Sequence, residues 1–265
     1  MNIIESCPFL QNLDLRQCHW LRVVRVCKDR LKLKSLVMVD CRRAYQIEIF
    51  APELQYFCFN GEFLIKYLFR NVAALEDVVI SSAGRETGVC FTNWMTIVPS
   101  LTAVKVITLC NRAIQCIAVS KISIPTVFGN LKELKLIMEM MTETNLSDIQ
   151  DFFRKCHCPN LDQVSIELPT GLRDPSLKIF LQVPAEESLD CDLGNLKTVK
   201  MRNYKGHKNE MELVKFFLDK ASVLEDMVLF TTYSGFWSAS HSKSLKFLTK
   251  TSVKAKVHVC GDLCD

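Results

Sequence analysis

Leu33-Lys34-Ser35-Leu36-Val37-Met38 places apolar side chains at its first, fourth and sixth positions, and that frame organises the chain. It occurs first as Leu10-Gln11-Asn12-Leu13-Asp14-Leu15. It returns as Leu54/Phe57/Phe59, Leu75/Val78/Ile80, Val104/Ile107/Leu109, Leu131/Leu134/Leu136, Leu161/Val164/Ile166, Leu196/Val199/Met201 and Leu224/Met227/Leu229. Around the fifth frame, Leu101/Val104/Val106 fits equally well. Alternate side chains of a strand share a face, so the fourth and sixth residues enter one core together while the first reaches it from the preceding bend. A single triplet would mean little. Repeated along the chain, the frame predicts strands centred near residues 13–15, 36–38, 57–59, 78–80, 107–109, 134–136, 164–166, 199–201 and 227–229.

Successive frames start 23, 21, 21, 29, 27, 30, 35 and 28 residues apart. The first three spacings fall inside the ~20–29-residue period of leucine-rich repeats, and several later ones exceed it. Cys18 and Cys41 stand eight residues after Leu10 and Leu33, at the Asn/Cys position of that pattern, where a small side chain is buried at the turn. The fold class expected is therefore α/β: a curved leucine-rich-repeat solenoid with a mainly parallel inner sheet and outer helices or turns. Two outer helices are legible. Residues 145–155 open on Asn145 with Asp148 three residues on, and residues 209–220 repeat the device with Asn209 and Glu212. Connections before these are too short for long helices and read as turns or single helical turns. The domain reading is a repeat array over 1–168, an irregular Pro- and acid-containing insertion over 169–195, and a strand–helix–strand tail over 196–265 that continues the solenoid.

Hydrophobic residues make up 49% of the 265 and charged residues 23%, with 9 Gly and 8 Pro, which excludes disordered and collagen-like chains. No apolar run approaches the ~18–20 residues of a membrane helix, and the first residues lack the basic-then-apolar pattern of a signal peptide. Thirteen irregularly spaced Cys read as reduced thiols of a cytoplasmic or nuclear protein. Net charge is +4 but uneven: residues 1–50 carry +4, residues 51–195 carry −5 and residues 196–258 carry +7. The lysines are not interleaved with aromatics as base stacking requires, which argues against a nucleic-acid partner.

The stretches Asn195–Met201, Tyr204-Lys205-Gly206, Asn209–Val214 and Ala221–Met227 resemble the C-terminal FBD region of plant F-box proteins with leucine-rich repeats. Cys156–Leu161 (CHCPNL), followed by Val164, Ile166 and Pro169, is similar to that family, as is the closing Thr251–Val259. The region 230–250, with Tyr233, Phe236 and Trp237, departs from it. The resemblance implies the substrate-recognition arm of a cullin-based ubiquitin ligase, in which an N-terminal F-box docks an adaptor and the repeats hold the target. Nothing here matches the F-box with its opening Leu-Pro. The expectation is thus a truncated product, an alternative isoform or a diverged copy acting as a decoy, with a cullin adaptor as partner only if a longer form supplies the F-box. Residues 1–9 offer no polar cap, so Ile3, Ile4, Phe9 and Leu10 are expected to form an exposed apolar edge. The alternative is a leucine-rich-repeat scaffold with no ligase connection.

An enzyme is not expected, and neither catalytic, cofactor nor metal residues are assigned. There is no Gly-rich phosphate loop, Gly-x-Ser-x-Gly elbow or His-Glu-x-x-His pair, and the five His are scattered. Cys156-His157-Cys158 lacks the paired spacing of a zinc site and reads as buried thiols. Glu76-Asp77 and Glu225-Asp226 read as surface charge. The site candidate is the concave sheet face, where alternation turns Asp14, Val37, Cys58, Val79, Thr108, Lys135, Ser165, Lys200 and Val228 outward. From these and their neighbours, Arg16, Val37, Tyr56, Val79, Lys135, Lys200, Arg202 and Phe230 are the candidate protein-binding residues, with an unidentified target protein as partner. The apolar strip Val37–Cys58–Val79 reads either as a contact patch or as ordinary strand propensity.

Overall fold

A computed structural model describes residues 7, 9–27, 31–61, 66–81, 97–119, 126–170, 193–231 and 255–261. Its main feature is a ten-stranded sheet in which every neighbouring pair is parallel. The strands are β1 (Asn12–Arg16), β3 (Ser35–Val39), β5 (Tyr56–Asn60), β7 (Asp77–Ser81), β8 (Val106–Cys110), β10 (Glu133–Ile137), β12 (Gln163–Glu167), β13 (Thr198–Arg202), β14 (Asp226–Thr231) and β15 (Lys256–Gly261). Nine of them lie on the nine apolar frames. The tenth begins in the closing Thr251–Val259 stretch that carries the family likeness and runs on to Gly261.

The register explains why the frame repeats. In eight of the nine frames the fourth and sixth residues are fully buried, as in Leu36/Met38, Phe57/Phe59 and Val199/Met201, and they stack in rows across the strands. The first residue of eight of the nine frames closes a tight turn by donating its amide to a carbonyl three residues back, for example Leu54 to Ala51 at 3.1 Å and Leu161 to Cys158 at 3.2 Å. The next residue's carbonyl then receives two amides from the following repeat. Gln55 accepts from Glu76 at 2.9 Å and Asp77 at 3.0 Å, and Lys105 accepts from Lys132 and Glu133. Each repeat is thereby locked to its neighbour by a backbone device that is independent of side chain.

The strands end where the chain enters the left-handed region: Gln17 (φ 53°), Asp40 (φ 53°) and Asn203 (φ 59°) each stand seven residues after a frame's start. Asn203 also donates its Nδ2 to the Leu168 carbonyl at 2.9 Å. Removing both the tolerance for positive φ and that bond, Asn203→Ala should cost about 1–3 kcal/mol in a denaturant titration. Asn203→Gly should lose only the hydrogen-bond part.

The return path changes along the chain. In the first three repeats it contains a strand, β2 (Val23–Cys27), β4 (Gln46–Phe50) and β6 (Lys66–Arg70), which together form a second parallel sheet, where turns were expected. A strand rises about 3.3 Å per residue against 1.5 Å for a helix, so five residues of strand recross the layer within a 21-residue repeat. Ile47, Ile49 and Tyr67 of this sheet are buried against the main one, with Phe69 edge-on to Phe57 at 5.0 Å.

The longer repeats have room for helices α1 (Asn111–Val119), α2 (Glu143–Lys155) and α3 (Lys208–Lys220). Two of these were expected, each with its cap placed too late. The cap of α2 is Thr142, whose hydroxyl accepts from the Asn145 amide at 3.2 Å. Moving the cap three residues earlier turns Asp148 inward, to 6% exposure. The cap of α3 is His207 with Glu210 in place of Asn209 with Glu212. Asn209 reaches instead to the Met141 carbonyl at 3.0 Å, tying α3 to the entry of α2. Helix α1 was not expected: it follows β8 directly, opening on Asn111 with no intervening turn. Two-residue strands β9 (Thr126–Val127) and β11 (Cys156–His157) pair beside these helices. Phe153 packs edge-on to Phe217 at 5.8 Å, joining α2 to α3.

β12 and β13 pair in register on either side of the insertion, whose residues 171–192 lie outside the described set. Ile3, Ile4, Tyr233, Phe236 and Trp237 lie outside it too. At the β1 edge Phe9 is 84% exposed and Leu13 and Leu15 are only half-buried, so the equivalents of fully buried Leu36 and Met38 face solvent on one side.

Candidate functional site

The face of the ten-stranded sheet directed away from the buried frame residues carries three rows of side chains, set by the parallel register. The middle row runs Asp14, Val37, Cys58, Val79, Thr108, Lys135, Ser165, Lys200, Val228, His258. One flanking row contains Tyr56, Asp77, Glu133, Gln163 and Asp226, and the other contains Arg16, Glu167, Arg202 and Phe230. All eight candidate residues stand on this one face, spread over seven strands.

Their surroundings differ. Val37 and Val79 flank Cys58 on consecutive strands, and all three are half-buried. The Tyr56 side chain engages the Cys58 thiol. Burial and then Cys58 push the Tyr56 hydroxyl up to about 12, and burial pushes the thiol up. Both therefore stay protonated at neutral pH and present neutral donors beside the valines. Arg16 is spent on its own strand, its Nε 3.0 and 3.1 Å from the Asp14 carboxylate oxygens. Arg202 is exposed, with its guanidinium 5.9 Å from the Phe230 ring centroid, a cation–π placement.

Beyond β8 the face becomes a polar lattice that no single-strand reading could assemble. Gln163 donates to Glu133 at 2.7 Å, Ser165 Oγ lies 3.4 Å from the same carboxylate oxygen, and Lys200 Nζ reaches Gln163 Oε1 at 3.5 Å. Lys135 sits 3.5 Å from Glu133. The Gln163, Ser165 and Lys200 contacts join residues 30 to 37 positions apart, so only the register brings them together.

One assignment changes. Glu76 is surface charge, paired with Lys105 at 2.6 Å, but its neighbour Asp77 has a carboxylate oxygen, Oδ1, that is buried without a hydrogen-bond partner. Burial pushes its carboxyl above the usual range, with Lys135 pulling it down and Glu133 pushing it up. Asp226 is surface charge as read, 45% exposed and 3.3 Å from the His258 ring. Cys156 and Cys158 are buried while His157 is exposed, and burial pushes the Cys156 thiol up strongly. Among the described residues no three His, Cys, Asp or Glu side chains converge as metal ligands. Among the same residues no helix is long and apolar enough to cross a membrane.

Comparison with known proteins agrees with this architecture. Residues 1–258 match the family of the At1g61320/AtMIF1 leucine-rich-repeat domain. An Arabidopsis thaliana FBD-associated F-box protein, At1g61320, is 24% identical over 249 residues, covering 86% of this chain and 52% of its own length. The Arabidopsis F-box/FBD/LRR-repeat protein At3g14710 is also 24% identical, over 86% of this chain and 50% of its own. The chain thus spans about half the length of these relatives. A parallel sheet built from nine apolar frames, an open face of side chains rather than a closed cleft, and a match over nearly every residue lead to one conclusion: this chain belongs to the leucine-rich-repeat family of the At1g61320/AtMIF1 type and is a protein-interaction module.

Proposed function

We propose that the open face is the target-binding surface of a substrate-recognition arm of the F-box ubiquitin-ligase type, with no catalysis of its own. The observation that carries this reading is the Val37–Cys58–Val79 strip. Three adjacent strands present half-buried apolar side chains on the side away from the core, next to the neutral donors of Tyr56 and Cys58. Such a patch gains from being covered. The F-box names of the relatives support the ligase connection. Arg16, Val37, Tyr56, Val79, Lys135, Lys200, Arg202 and Phe230 are the contact residues proposed, residues 169–195 the boundary between array and tail, and cytoplasm or nucleus the compartment.

The test is capture of proteins from native plant extract by the purified chain, probed separately for bound targets and for the cullin adaptor. Val79→Asp is expected to reduce target recovery at least about tenfold, because a charge would have to be desolvated in the contact. Val79→Ser, which disturbs the fold less, should lower it in the same direction. The adaptor is expected only with a form that also carries an F-box. Recovery of targets unchanged by both substitutions would move the binding site off this face, and strong adaptor recovery by the chain alone would overturn the separation of target binding from adaptor docking.

A further inference from the structure

We infer that Asp77 determines the specificity of the open face, and that the target segment bound there carries a basic side chain, Lys or Arg, beside the apolar group that covers Val37, Cys58 and Val79. This rests on the open face being the binding surface and names the chemistry of what it binds. On β3, β5, β7 and β8 alternation turns three side chains per strand to that face, and Asp77 is the only one of them with a formal charge. The others are valines, hydroxyl-bearing side chains, thiols and Asn60. One carboxylate oxygen of Asp77, Oδ1, is buried with no hydrogen-bond partner. The one cation among the described residues that acts on it, Lys135, stands 3.5 Å from Glu133 instead. On the far side of the strip Arg16 is held by Asp14 at 3.0 Å.

A carboxylate left without a counter-ion in a largely apolar patch weakens the fold and adds nothing to packing. A purely apolar partner laid over the strip would worsen this, removing water from the group while supplying no donor. A partner with a cation at that place supplies the missing charge and donor as the water leaves, where such a pair is little screened. Asp77 as a whole is half-buried, so the group is reached from solvent through Oδ2. Asp77 and Val79 stand two positions apart on one strand, about 7 Å along it, so the basic and apolar side chains of the partner are close neighbours. Val106 is in register with Asp77 on the next strand and offers the methylene stem of Lys or Arg an apolar surface. Beyond Val106 the Glu133–Lys135 pair is neutral as a unit, which leaves Asp77 as the charge that the partner meets.

The test is selection of a random-sequence peptide library, displayed on phage, against the purified chain and against Asp77→Asn. Peptides enriched on the parent are expected to carry Lys or Arg close to a large apolar residue, and to lose that bias on Asp77→Asn. Binding of one enriched peptide, labelled with fluorescein, is then read by anisotropy as a double-mutant cycle. Asp77→Asn is expected to weaken it about tenfold, and replacing the basic residue of the peptide by Gln about as much. The two changes together should cost little more than either alone, because each removes the same pair. The thermal midpoint of Asp77→Asn should stay level or rise, since the substitution removes an uncompensated charge. Enriched peptides without a basic residue, losses that simply add, no enrichment at all, or a lowered midpoint would each overturn the inference. If the enriched peptides are lost on Val79→Ser yet ignore Asp77→Asn, this inference falls and the target-binding reading stands. If they ignore both substitutions, that reading falls as well.

Discussion

Asp148→Asn is expected to stabilise the fold by about 4 kcal/mol at pH 8 and by little near pH 4. Asp148 stands on α2 at 6% exposure, with Oδ2 buried and no hydrogen-bond partner. Burial, helped by Asp151, pushes its carboxyl up to about 7 from the ordinary 3.8. A shift of about three pH units corresponds to about 4 kcal/mol between the two protonation states. The sign follows from proton counting. Between roughly pH 4 and 7 the native state holds a proton that the unfolded chain has released, so stability falls as pH rises through that window and levels off above it. Asparagine mimics the neutral acid and removes the slope. The measurement is chemical denaturation of both proteins at several pH values. Parallel curves would mean that Asp148 ionises in the fold without penalty. For a chain of this length, the pH 8 difference would appear as a rise of roughly 10 °C in thermal midpoint.

Glu210→Ala is expected to cost about 3 kcal/mol, independently of the first prediction. Glu210 is 2% exposed at the start of α3, and one of its oxygens, Oε2, accepts the amides of Lys205 at 2.8 Å and His207 at 3.2 Å. Its second oxygen, Oε1, lies 3.4 Å from His207 Nδ1. Truncation leaves two backbone donors without an acceptor and removes a charge from the helix N-terminus, where the dipole favours it. The loop these bonds shape, between Asn203 and His207, also positions Lys205, whose Nζ reaches the Pro169 carbonyl at 2.7 Å. Glu210→Gln keeps one acceptor oxygen and should lose less. Equal stability of Glu210→Ala and the parent in urea would show that water satisfies the two amides.

Both residues illustrate where one-dimensional reading stops. The Asp148 and Glu210 positions lie inside helices that were legible from apolar spacing, yet Asp148 was read as a capping partner and the role of Glu210 fell to Glu212. A capping signature can be shifted by one turn without changing the apolar face, because the residues three or four apart that define that face also supply cap-like polar residues. Glu212 instead pairs with Lys215 at 2.7 Å on the helix surface.

The sequence by itself determined the repeat, the nine strands and the face each strand turns outward. Those depend on a period-two rule that acts within six residues, and burying both frame positions leaves no second register that keeps the core apolar. Only the tertiary structure decided the rest. It set the second sheet behind β1, β3 and β5, because a short return path favours the conformation with the longest rise. It turned Asp148 inward and buried one carboxylate oxygen of Asp77 on the open face, because burial belongs to neighbours from other repeats. It joined Glu133, Gln163, Ser165 and Lys200 into one lattice, because residues thirty positions apart meet only when the repeats stack in register.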